Sequence, residues 1–180
     1  MSIIVQLQGG LGNQMFQYAF AKGMSRRHHT DFLLDTFGYQ RSPRPYELEH
    51  FAIQPSYAQK ADLPRWQGDK YANRTKMRIL NRIAKPLLQK LDRHTYLEAE
   101  GVGFDPRLLE PKQGYFLGRF QNEKYFMEPT LQSELRKDFS FLSLPSQQNA
   151  QVIEEMEQTL SVSVHIRRGD YLNPEYQGFF

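Results

Sequence analysis

The first 35 residues alternate between two kinds of hydrophobic pattern. Ile3, Ile4 and Val5 form an apolar run, and residues 3–7 read as a buried strand. Residues 13–28 then place Phe16, Ala19, Phe20 and Gly23 or Met24 along one side of a helix, and residues 30–35 (TDFLLD) read as a second strand. Strand, helix and strand on short links make a βαβ unit, which predicts a parallel sheet and an α/β fold. The pattern lapses over residues 36–67, where Pro43, Pro45, Pro55 and Pro64 interrupt it, and this stretch reads as loop with short helical pieces. A helical period returns over residues 73–91. Leu80, Ile83, Ala84, Leu87, Leu88 and Leu91 share a stripe there, with Pro86 as a kink or a new start.

Further along, residues 114–118 (GYFLG) predict a short strand and residues 123–126 a helical turn. A helix follows over 130–138 behind Pro129, then the β-rich segment DFSFLSL. Ser146 can cap a helix running to about residue 159, and residues 161–166 (SVSVHI) predict another strand. A parallel strand needs both a crossover and a partner, and only the loop RRGDYLNPEYQGFF follows this one. The expected organisation is an α/β domain over residues 1–160, with residues 161–180 opening a second that is cut off after its first strand.

Composition narrows the chemistry. A 180-residue chain with 39% hydrophobic residues can build one core of ordinary size. Without cysteine there is no disulfide framework or thiolate metal site, and the five histidines include no H-x-x-x-H pair, so metal is not the expected agent. No apolar run approaches the roughly 18 residues of a membrane span, and nothing marks the chain for export, so a cytoplasmic location is expected. The net charge of +3 is uneven. Residues 65–93 carry nine Lys and Arg against two Asp and Glu, while residues 94–180 carry eight against thirteen. The basic segment reads first as a solvated helix face, second as a peripheral contact with the anionic inner face of a membrane, and third as a nucleic-acid surface. The third is not expected, because no recognition motif accompanies it.

Two loops hold the candidate chemistry. In HIRRGDY, Arg167 and Arg168 sit just past a predicted strand's carboxyl end, where open α/β sheets bind ligands. Two planar, permanently charged forks suit a diphosphate, Gly169 permits close approach, and Asp170 can orient an arginine or accept a proton. The plainer alternative is a surface ion pair, and for His165 a structural role at the strand end. The other loop, QGGLGNQMFQYAFA, runs strand, glycines and helix in the order of a dinucleotide site, but Met15 stands where the third glycine belongs. Asp35, at the end of the second strand, offers weak support for a ribose contact. Gly9, Gly10 and Gly12 leave backbone N–H groups at a helix start, and Asn13 and Gln14 add amides suited to sugar hydroxyls. Asn13 could instead simply cap the helix.

The strings GGLGNQMFQYAFA, YFLGRFQNEKYF and VHIRRGDYLNP, in that order across nearly the whole chain, resemble the bacterial α-1,2-fucosyltransferases of glycosyltransferase family eleven. That resemblance implies a GT-B-like pair of α/β domains facing each other across a cleft, the N-terminal one serving the acceptor and the Rossmann-like C-terminal one binding GDP-fucose. It implies inverting, metal-independent transfer of L-fucose to the 2-hydroxyl of a terminal galactose, as on a bacterial surface glycan. Carried over, Arg167 and Arg168 bind the donor with His165 and Asp170 in support, and Asp170 is the candidate base. Gly9, Gly10, Gly12, Asn13 and Gln14 form a cleft loop. A noncatalytic α/β module that binds a sugar or phosphate ligand with the same two loops is the rival reading.

Relatives in that family continue beyond the equivalent of Phe180, and the remaining donor contacts are expected in that continuation. The 180-residue chain incubated with GDP-fucose and a galactoside is therefore expected to show little or no transfer. Turnover at a rate ordinary for a full-length enzyme would contradict this.

Overall fold

The computed structural model describes residues 2–64, 94–99, 103–164 and 166. The chain divides into two compact units, Met1–Leu142 and Ser143–Phe180. The expected helix over 73–91 and the basic segment lie outside the described residues.

The first unit is built on a parallel five-stranded sheet with strands β1 (Ile3–Gln6), β2 (Phe32–Asp35), β3 (Ser56–Tyr57), β4 (Thr95–Leu97) and β5 (Gly114–Leu117). Their spatial order is β3-β2-β1-β5-β4, which puts β1 at the centre. All four residues of β1 are buried, as a central parallel strand covered on both faces requires. Helix α1 (Leu11–His28) is the expected crossover from β1 to β2. It ends where His29 turns left-handed, with Arg26, Arg27 and His28 in its last turn favouring the dipole's negative end.

The main core lies between α1 and one face of the sheet. Phe20 stacks on Phe120 with ring centroids 3.8 Å apart and meets Phe116 and Tyr125 edge-on. Ile3, Val5, Leu34 and Met24 complete the surroundings. Helix α2 (Pro129–Asp138) is capped by Glu128, whose carboxylate accepts from Thr130 N and Leu131 N. It packs along α1 where Gly23 leaves room for Leu131, and the contact is edged by Lys22 and Tyr18 on Asp138 and by Arg26 on Glu134. Burial and the Asp138 carboxylate push the Tyr18 hydroxyl pKa well above its ordinary value, so Tyr18 remains a donor.

Several expectations change. Residues 36–64 hold three short 3-10 helices, as expected, but also strand β3, and β4 lies in a stretch where no strand was expected. The DFSFLSL segment forms an isolated antiparallel bridge, Phe51 to Phe141, rather than a strand. In the second unit, helix α3 (Gln147–Gln158) starts on Ser146, whose hydroxyl accepts from Asn149 N. Residues 161–164 and 166 are not a strand. Apolar alternation specifies a strand only where a neighbour supplies the ladder, and none of the described residues pairs with them.

Phe20→Ala is expected to lower the unfolding free energy by about 3–5 kcal/mol, read from the denaturant midpoint, because it opens a cavity against three aromatic rings.

Candidate functional site

The loops that leave β1 and β5 lie side by side at the centre of the sheet's carboxyl edge, where ligands bind in α/β folds. In the first, Gly9 is left-handed at φ +83°, and its carbonyl accepts from the Tyr39 hydroxyl at 2.9 Å. Burial pushes the Tyr39 pKa up to about 12, which keeps that donor protonated. Gly10 is the N-cap of α1, and no side chain caps the helix. Asn13 is therefore not the cap. It stands in the first turn, where its Oδ1 accepts from Gln121 Nε2 of the β5 loop at 2.6 Å.

Gln14 is fully buried, contrary to the expectation of an amide offered to a ligand. Its Nε2 donates to Gly9 O at 3.2 Å and Pro45 O at 3.0 Å, and its Oε1 accepts from Glu47 N at 2.9 Å. One turn on, the equally buried Gln17 accepts from Gln8 N and donates to Gly118 O, both at 2.9 Å. The two amides join three loops, after β1, between β2 and β3, and after β5, into one braced edge. A buried amide left unpaired costs several kcal/mol, so each loop must bring its partner group to a fixed place.

The β5 loop is held equally tightly. A Cβ at Gly118 would lie 2.6 Å from Glu98 Cβ, so glycine is what admits Glu98, whose carboxylate accepts from Arg119 N and Phe120 N at 2.7 Å each. Phe120 takes a left-handed conformation, φ +51°, that a bulky residue adopts only under constraint. Its stack on Phe20 supplies the constraint, and Gln121 follows it onto Asn13.

Asp35 does not face a ligand. It is fully buried, accepting from Phe37 N at 2.9 Å and from the Tyr115 hydroxyl at 2.5 Å, so its carboxylate serves the fold and not a ribose. Met15, at the third-glycine position, packs into the main apolar cluster. Gly12 has open space where a Cβ would stand.

Arg44 is a site residue that the sequence reading missed. Its guanidinium lies 3.4 Å from where a Gly10 Cβ would be, because Gln14 fixes Pro45 and Glu47 just beyond it. The P-R-P string, a stiffened cation in an otherwise irregular loop, was the available signal. His165, Arg167, Arg168 and Asp170 lie outside the described residues. A groove of about 570 Å³ along β4, lined in part by Thr95, Leu97, Asp105 and Arg107, contains none of the residues singled out from the sequence. No helix among the described residues is long and apolar enough to cross a membrane.

Across 182 aligned residues the chain is 30% identical to an alpha-1,2-colitosyltransferase of Escherichia coli. The match takes in 96% of this chain and 57% of that protein, so the chain spans a little over half the length of the curated relative it matches. No family model and no solved structure matches it.

Gln14→Ala strips partners from two carbonyls and one N–H and is expected to cost about 1–3 kcal/mol of stability. Hydrogen exchange should show the Glu47 amide losing protection before the amides of β1 do.

Proposed function

We propose that the chain is the acceptor-side domain, with the opening of the donor-side domain, of an inverting GT-B-like glycosyltransferase. It moves L-fucose from GDP-fucose to the 2-hydroxyl of a terminal galactose. The observation that carries this reading is similarity over 96% of the chain to a transferase named for an α-1,2 linkage. The parallel sheet, with its glycine loop at the carboxyl edge, is compatible with it.

On this reading the acceptor hydroxyl attacks the anomeric carbon in line, the bond to the β-phosphate oxygen breaks, and GDP departs as negative charge gathers on it. Arg167 and Arg168 stabilise that charge with paired, permanently charged donors. Asp170 takes the proton released by the acceptor hydroxyl, and His165 supports the arginines. No metal is required, because the arginines supply the positive charge. The cleft loop, Gly9, Gly10, Gly12 and Asn13, contributes the acceptor side, with Gln14 acting from within.

The relative's name favours a second donor. Colitose is fucose without its 3-hydroxyl, so a pocket that hydrogen-bonds that hydroxyl rejects colitose, and a pocket that packs against C3 tolerates it. Competition between the two nucleotide sugars for one site separates these readings.

Titration of the chain with GDP and with GDP-fucose, wild type beside Arg168→Ala, tests the donor assignment. Loss of a charged fork from the diphosphate is expected to weaken both ligands by about tenfold to a hundredfold. Unchanged GDP affinity would remove the diphosphate from Arg168.

A further inference from the structure

Three tyrosines form a row that starts on the glycine loop and ends in solvent. Tyr39, bonded to Gly9 O, has its ring centroid 6.0 Å from that of Tyr46. Tyr46 meets Tyr57 edge-on at 6.1 Å, and their hydroxyls lie 2.9 Å apart. Tyr46 cannot drift, because the residues on either side of it, Pro45 and Glu47, are both bonded to the buried Gln14 amide. Tyr57 is fixed in register on the edge strand β3 opposite Leu34, yet it remains 42% exposed.

Packing alone does not account for this arrangement. A core contact needs no hydroxyl pair at its open end, and a solvated edge strand needs no ring fixed at both backbone and hydroxyl. The exposed Tyr57 ring, with the Tyr46 hydroxyl beside its own, offers an apolar face bordered by hydroxyls that both donate and accept. A pyranose has the matching surface, with C–H groups on its faces and hydroxyls around its rim. Burial and the bond to Tyr57 raise the Tyr46 pKa above its ordinary value, so Tyr46 stays neutral and suits an uncharged ligand better than a diphosphate.

We propose that the Tyr57 ring is the platform on which the acceptor's neutral galactoside ring stacks, with Tyr46 holding it edge-on and Tyr39 tying both to the glycine loop. This rests on the transferase reading and deepens it by assigning the acceptor subsite to the β3 edge. Tyr57 is the specificity-determining side chain because it is the exposed member of the row.

The test is titration of the 180-residue chain with methyl β-D-galactopyranoside, followed through the tyrosine ring resonances, for wild type, Tyr57→Phe and Tyr57→Ala. The Tyr57 resonances are expected to move, Tyr57→Ala to weaken binding about fivefold, and Tyr57→Phe, which keeps the ring, to weaken it less. Galactoside binding that is unchanged in Tyr57→Ala overturns the platform and leaves the transferase reading standing. Absence of galactoside binding by the wild type overturns the platform together with the acceptor half of that reading. Movement of the Tyr57 resonances with GDP but not with the galactoside overturns the assignment to the acceptor.

Discussion

Two buried side-chain amides set the geometry on which the carboxyl edge of the sheet depends. Gln14 and Gln17 project from the first two turns of α1 into a space that water does not reach. An amide there is tolerated only when its donors and acceptor are met, and the groups that meet them come from three segments far apart in sequence. The helix therefore does more than cross over between β1 and β2. It dictates where residues 8–9, 45–47 and 118 must stand, and through them where Arg44, Tyr46 and Gln121 stand.

The same brace separates this edge from a dinucleotide site of similar sequence. In such a site the third glycine lets helix and strand close together, and the carboxylate after the second strand faces the ribose. Here Met15 packs against the main apolar cluster and Asp35 is turned inward onto Phe37 N and Tyr115. What the edge presents outward is an amide pair, Asn13 with Gln121, a guanidinium over Gly10, and a row of tyrosines. The amide pair and the tyrosines favour hydroxyl-rich ligands, which agrees with placing the acceptor here and the diphosphate on Arg167 and Arg168, as we propose.

Much of the fold was legible in the sequence because it follows periodicity. The βαβ unit, the apolar face of α1, the strand at Gly114–Leu117 and the helices behind Pro129 and Ser146 emerge within a few residues of their expected bounds. Strands of two and three residues, β3 and β4, cannot display a period and were missed. Residues 161–164 show the converse: alternation was present, but the hydrogen-bonding neighbour that turns it into a strand is a tertiary property. The buried glutamines escaped because polar residues in a helix usually face water. A signal was nevertheless there, since positions 14, 17, 21 and 24 follow one helical stripe and all four are buried. Arg44 and Tyr57 came from a proline-broken stretch, where position in space is set for Arg44 by Gln14 and for Tyr57 by pairing opposite Leu34, and not by local pattern.

The central claim is a division of labour, in which the glycine loop is braced from within to serve the acceptor while the arginine loop takes the diphosphate. Backbone amide spectra of the chain, recorded as GDP is added, test this most directly. The account predicts shifts at residues 165–170 with Gly9, Gly10, Gly12 and Asn13 unmoved. Shifts concentrated at those glycines and Asn13, with residues 165–170 silent, would contradict it.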